Sequence, residues 1–419
     1  MMRSLFSAVS GLKAHQQRMD VIGNNIANVN TPGFKKSRVT FQDMLNQTIR
    51  GASRPIEGGR GGTNPMQMGL GVTIGSIDTD FGATSLQDTG KNTDLGINGD
   101  GFFILAEKAG GREFYTRAGS FDFDNAGNLV SNLNGLHVMG WLADDTGKID
   151  YNMQLQPIKV DWSVSQPPKK TETVTLTGNL DAGLAQNKTI TVEKTVYDTQ
   201  GHPYQLKITF TKGNNPNNPN EWTWSASIID ANGVTKNTPT DTVISFDPDT
   251  GKPTSTLSSG TVTYSPVSGG NDITINLNFS GMTQYAAETT AAVQSQDGYP
   301  SGTLDTLTID QAGNIVGVFS NGTSRILAQI ALERFVNPAG LVKEGNSLFS
   351  KSSNAEPVGA KPPGSSGFGT VKPGTLEMSN VDLSSEFTDM ITTQRGFQAN
   401  SRVITASDEM LQDLVNLKR

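Results

Sequence analysis

Three histidines, His15, His137 and His202, are the only imidazoles among 419 residues, and cysteine is absent. They lie far apart and outside any ligand-spaced motif, and without a thiol there is no disulfide, thiolate metal site or sulfur nucleophile. Carboxylates are more numerous but are not arranged for catalysis. Asp122-Phe123-Asp124-Asn125-Ala126-Gly127 resembles the start of a calcium loop, yet the bidentate glutamate that would complete it is missing at the required spacing. Asp247-Pro248-Asp249-Thr250-Gly251 fails the same test, and both read as hairpin turns. Gly99-Asp100-Gly101 is too short to cradle a phosphate and leads into apolar Phe102-Phe103. Trp141, Trp162, Trp222 and Trp224 could stack on sugar, but filling β cores is their plainer use. The residues therefore predict no catalytic centre, no metal and no cofactor: not an enzyme.

Composition narrows the alternatives. The length suggests two or three domains. The net charge of −7 argues against nucleic acid as the main partner. No run of eighteen apolar residues occurs, so no membrane insertion is expected. Ser4, Ser7, Ser10, Lys13 and His15 interrupt any apolar stretch near the start, so a cleaved secretory signal is not expected either.

The strongest periodicity lies at the two ends. Leu5, Leu12, Met19 and Ile26 recur every seven residues, with Ala8, His15, Ile22 and Val29 three further on. Leu383, Met390, Phe397, Ile404 and Leu411 keep the same spacing, with Phe387 and Val415 beside them. Each set predicts a narrow coiled-coil-like seam on an amphipathic helix, one over 4–28 and one beginning after an Asp382 N-cap and reaching about 417. Asn30-Thr31-Pro32-Gly33 writes the stop of the first. Gly11 and Gly23 each weaken it by roughly 1 kcal/mol, which close approach of another helix would offset. Asn24, Asn25 and Asn28 are candidates for fixing register across subunits, and His15 for a pH-sensitive contact. The first 38 residues are mainly basic and the last segment mainly acidic, so the two ends are expected to pair, and to order fully only when neighbouring copies bury their seams.

Between the ends the pattern is β. Short alternating runs separated by glycine, proline and asparagine clusters predict strands from residue 72 onward, and Asp124-Asn125-Ala126-Gly127-Asn128 is echoed by Asp310-Gln311-Ala312-Gly313-Asn314. The expected architecture is multidomain: paired terminal α-helices plus two mainly-β domains, the second inserted in the first. Its parts are a terminal helical domain (1–30 and 379–419), connectors (31–71 and 350–378), a first β domain (72–147 and 295–349) and an inserted outer β domain (148–294).

Four phrases together resemble the rod and hook axial proteins of the bacterial flagellum. They are Asn24-Asn25-Ile26-Ala27-Asn28 with Thr31-Pro32-Gly33-Phe34-Lys35; Asp94-Leu95 through Gly101-Phe102-Phe103; Tyr115-Thr116-Arg117-Ala118-Gly119-Ser120-Phe121; and 390–402, which contains Gln394-Arg395-Gly396-Phe397. Gly23 departs from the alanine often found there. The large β insertion is similar to the outer domain of hook subunits, which shorter rod proteins lack. The resemblance implies an extracellular homopolymer, a bendable tube that transmits torque from rod to filament. It also implies export through the flagellar apparatus, and rod proteins, a hook cap and hook–filament junction proteins as partners. The competing readings are a distal rod protein and a secreted carbohydrate-binding β protein.

Overall fold

The computed structural model describes residues 2–55, 61–213, 220–229, 235–237, 242–254, 259–264 and 272–416. The turn cluster at 214–219 and residues 58–60 of the first glycine-rich loop lie outside them. Two helices, α1 (Met2–Ala27) and α2 (Leu383–Asn416), flank a chain that is otherwise mostly strand. The chain divides into two compact units, one comprising Met1–Asp161, Thr308–Val316 and Ile326–Arg419, the other Trp162–Leu307 and Gly317–Arg325.

In the first unit the strand Phe102–Ala106 is central. It pairs with Glu113–Thr116, His137–Leu142 and Leu332–Glu333. Phe102, Ile104 and Ala106 join Tyr115, Met139, Trp141, Phe335 and Phe349 in one core cluster. Phe103 meets Phe121 edge-on, with ring centroids 5.0 Å apart. A strand covered on both faces should read as an unbroken apolar run, and Phe-Phe-Ile-Leu-Ala does.

Two parts of the chain are more tightly built than their composition suggests. Residues 148–160, expected in the inserted domain, belong to the first unit. Gln156–Pro157 pairs with Met139 and Gly140, and Ile158 and Val160 are buried. Residues 350–378, expected as a connector, are largely packed: Thr370–Pro373 pairs with Leu95–Asn98, and Thr375–Glu377 with Leu86–Asp88. Their Pro, Gly and Ser residues form tight turns, such as Ser365 N–H donating to Pro362 O and Gly364 N–H to Gly369 O. The stretch after residue 35, expected as a connector, is extended. β1 (Ser37–Asp43), β2 (Asn46–Arg50), β3 (Met66–Gly69) and β4 (Val72–Thr79) follow α1, with β1 paired to β4 and β2 to β3.

The echoed phrases fold alike. In both, the first aspartate accepts the backbone N–H of the asparagine four residues on, at 2.7 Å for Asp124–Asn128 and 2.8 Å for Asp310–Asn314. In both, the asparagine amide donates to the second carboxylate oxygen at 2.8 Å. Gly127 and Gly313 take φ of +82° and +73°, which the turn requires. The aspartates are thus occupied as turn acceptors.

The second unit contains two antiparallel-rich sheets sharing one core. One runs Ser259–Tyr264, Ile273–Tyr285, Thr173–Asp181, Ala292–Gln296; the other runs Thr189–Tyr197, Pro203–Lys212, Glu221–Ile229, with Thr235–Asn237 and Thr242–Ser245 both on its last strand. The strict alternation of Pro203–Lys212 and Glu221–Ile229 puts Tyr204, Leu206, Ile208, Phe210, Trp222, Trp224, Ala226 and Ile228 into that core. Trp141, Trp222 and Trp224 are therefore core residues, while Trp162 is about half exposed.

Two aspartates give this unit acid sensitivity. Burial raises the Asp198 carboxyl, but the combined backbone and ring donation of His202 and the Gln200 N–H outweigh it, leaving the pKa lowered. Burial likewise raises Asp297, and the Thr173 and Glu172 N–H groups with Lys169 reverse it. A folded pKa below the unfolded value means stability that is full above about pH 4 and is lost as pH falls through the folded value. The unit's melting temperature is expected to fall below about pH 4. In Asp198→Asn/Asp297→Asn the neutral-pH value should drop and the acid slope flatten, as calorimetry would show.

Candidate assembly surface

The two terminal helices lie against each other in opposite directions. Successive contacts run Asn25–Glu386 (3.2 Å), Arg18–Asp389 (3.1 Å), His15 against Gly396 and Gly11 against Asn400. The buried face on α1 is Ala8, Gly11, Ala14, Ile22 and Asn25. On α2 the buried side chains are Glu386, Thr393 and Ser407, themselves seven and fourteen residues apart. A Cβ added to Gly11 would lie 2.6 Å from Asn400 Nδ2, and one on Gly396 would lie 2.8 Å from the His15 ring. These two glycines admit the opposing side chains. Gly23 has open space beside it and is not a close-approach position.

The face used within one chain is therefore small and polar, whereas the predicted seam residues mostly flank it. Ile22 and Asn25 are buried; Leu5, Leu12, Met19, Ile26, Met390, Phe397, Ile404 and Leu411 are half-buried; Leu383 is exposed. Met390 follows Asp389, and Phe397 follows Gly396, about 100° further round the helix. The exposed apolar side chains Phe6, Phe387 and Ile391 widen this uncovered stripe.

The asparagines act inside the chain. Asn25 donates to Ser37 O (2.9 Å) and Glu386, and its Oδ1 accepts the Ser37 N–H (3.0 Å), tying α1 to β1 and α2 together. Asn28 donates to Asn24 O and Asn24 Oδ1, and Thr31 to Asn28 Oδ1, closing the helix end locally. Asp382 caps α2 by accepting the Ser384 N–H at 2.9 Å. Asn25→Leu leaves buried Glu386 and the Ser37 backbone without a partner, at a cost of about 1–3 kcal/mol. Urea unfolding of the unassembled chain is expected to register that loss.

His15 sits edge-on to Phe41, centroids 5.7 Å apart, with Nδ1 buried and unpartnered. Burial, then the neighbouring Arg18, hold its pKa below the ordinary imidazole value.

A further group anchors both helices to the β core and was not read from the sequence. Lys35 is fully buried and donates to Glu377 Oε1 (2.6 Å) and Gly82 O (2.9 Å), and Arg117 donates to Glu377 Oε2 (3.3 Å). Thr84 Oγ1 is a third donor to the Glu377 carboxylate, at 2.8 Å. Beside this cluster Gly33 holds φ +68° and donates to Glu377 O, and a Cβ there would lie 2.5 Å from Ala118 N. The available signal was a cation set beside glycine and an apolar residue in each of two phrases, Gly33-Phe34-Lys35 and Arg117-Ala118-Gly119.

These features have counterparts in known proteins. Residues 5–35 match the family described as flagella basal body rod protein, and 372–417 the flagellar basal body rod FlgEFG protein C-terminal family. Residues 96–179 match the flagellar hook protein FlgE/F/G D1 domain, and 166–299 the flagellar basal body protein FlaE D2 domain. The class is thus that of flagellar axial proteins. Flagellar hook protein FlgE of Borreliella burgdorferi is 42% identical and that of Treponema pallidum 40%, each over 100% of both chains. The flagellar basal-body rod protein FlgG of Bacillus subtilis is 34% identical, also over the whole of both chains. Length alone therefore does not separate hook from rod relatives. The crystal structure of Helicobacter pylori FlgE2 shares the fold, with a TM-score of 0.53 and 16% identity, over 70% of this chain and all of that one. The chain belongs to the flagellar hook protein family. None of the matched families is described as catalytic.

Proposed function

We propose that this chain is the structural subunit of a flagellar hook, self-assembling into a bendable tube that carries torque from rod to filament. The observation that supports it most directly is the stripe of half-covered heptad residues beside a filled polar seam on both terminal helices. Burying that stripe requires further copies, and coiled-coil-like packing of α1 and α2 from neighbours supplies the cover. The 42% and 40% identity to the hook proteins of Borreliella burgdorferi and Treponema pallidum, against 34% to the rod protein of Bacillus subtilis, favours the hook.

In this reading the terminal helices form the inner wall, and the β domain built around Phe102–Ala106 lies outside them. Tight inner packing resists twist, while sliding of outer domains allows bending. The subunit reaches the outside through the flagellar export apparatus. It meets rod proteins at one end of the polymer, and a cap and then junction proteins at the other.

Concentrated purified protein is expected to form hollow tubes by electron microscopy. Amide exchange along 4–28 and 383–416 should be markedly slower in the tube than in the unassembled chain. Monodisperse particles at all concentrations would sink the reading.

A further inference from the structure

The β2–β3 hairpin has one mainly apolar face, and nothing among the described residues covers it. Its register sets Gln47 opposite Met68 and Arg50 opposite Met66, with an irregularity between Thr48 and Arg50. Alternation from these pairs places Leu45, Ile49, Met66 and Met68 on one face with Gln47 among them and Arg50 beside them. Thr48 and Gln67, bonded to each other at 3.2 Å, take the opposite face. The four apolar side chains are 82%, 55%, 49% and 45% exposed. A two-stranded hairpin is marginal in water without something on its apolar side, so this one is built to be covered.

A matching surface lies near the end of α2. Val403, Ala406 and Met410 run i, i+3, i+7 on an exposed side of the helix, and Met410 is 50% exposed. Glu409 and Asp413 stand alongside, whereas the hairpin carries Arg50 and, just beyond it, Arg54. Apolar side chains thus have apolar counterparts, and two cations have two anions.

We infer that the apolar face of the β2–β3 hairpin of one copy docks on the Val403–Met410 face of α2 of a second copy. This deepens the self-assembly reading and rests on it. Methionine suits the hairpin side, because its flexible thioether adapts to a helix surface as the tube bends. The arginines set direction and register, and the apolar contact supplies the affinity.

The absence of native cysteine makes the test clean. Met68→Cys and Met410→Cys chains are prepared separately, mixed, assembled and gently oxidised, with Thr48→Cys replacing Met68→Cys as the opposite-face control. A disulfide needs Cα atoms within about 7 Å, so a mixed dimer is expected in tubes containing both chains, and little with the control. Tubes that incorporate both chains yet give no more mixed dimer than the control overturn the docking but not the hook reading; wild-type protein that never forms tubes overturns the hook reading instead. As a second measure, Arg50→Glu/Arg54→Glu should raise the critical concentration at least tenfold, and adding Glu409→Arg/Asp413→Arg to the same chain should restore it. Failure of that restoration counts against the pairing.

Discussion

A chain trimmed of residues 1–30 and 379–419 keeps its β units folded, remains monomeric and forms no tube at any workable concentration. The half-covered seam residues each gain about 1 kcal/mol on full burial, so their loss removes on the order of 10 kcal/mol per subunit. Ordering a subunit in a polymer costs about 4–15 kcal/mol, and nothing comparable is left to offset it. The trunk keeps Lys35, Arg117 and Glu377, and the Asn25 contact to Ser37 is simply replaced by water. Sedimentation and electron microscopy on the trimmed protein, with a thermal melt to verify folding, decide the matter. Tube growth by this trunk would end the case for the helices.

Glu377→Ala is expected to be the most damaging single substitution within the first unit, costing about 3–5 kcal/mol. It leaves Lys35, which is fully buried, and Arg117, nearly so, facing each other without a counter-charge. Burial already holds the Lys35 amine below its ordinary pKa; the Glu377 carboxylate raises it again, and Arg117 lowers it. Without the carboxylate, only the smaller influence of Asp80 still raises it, against burial and Arg117. The contrast is the apolar triple variant, Lys35→Met/Arg117→Met/Glu377→Leu, expected to lie within about 1–2 kcal/mol of wild type because no charge is left stranded. Urea denaturation of the three proteins separates the two outcomes. A loss below 1 kcal/mol for Glu377→Ala would show that water reaches the cluster.

What the sequence disclosed follows from which interactions leave a period. The helices announced themselves through seven-residue spacing and the Asp382 cap, and the strands of the second unit through alternation such as that of Trp222–Ile228. Position on a helix was harder to read. Leu12 and Gly11 are neighbours in sequence, and only the structure shows that glycine faces the partner helix in the same chain while leucine stays at the margin. Apolar periodicity marks what will eventually be buried, not which copy buries it. Asn25 was singled out for register across subunits, whereas its partners within the chain, Ser37 and Glu386, are set by tertiary folding and leave no local trace. The same holds for Glu377, whose two cationic partners lie far upstream. Residues 350–378 misled because proline and glycine mark tight packed turns as readily as slack ones.

The Lys35–Glu377 bond joins groups 342 positions apart, and Arg117–Glu377 spans 260. A polypeptide threaded out from its first residue presents both cations long before the acid that neutralises them arrives. Closure of the trunk thus waits for nearly the last tenth of the chain. Any molecule cut short ahead of that glutamate holds two stranded positive charges where the finished one has a lock, so incomplete copies would be rejected by their own instability before they could be built into a shaft.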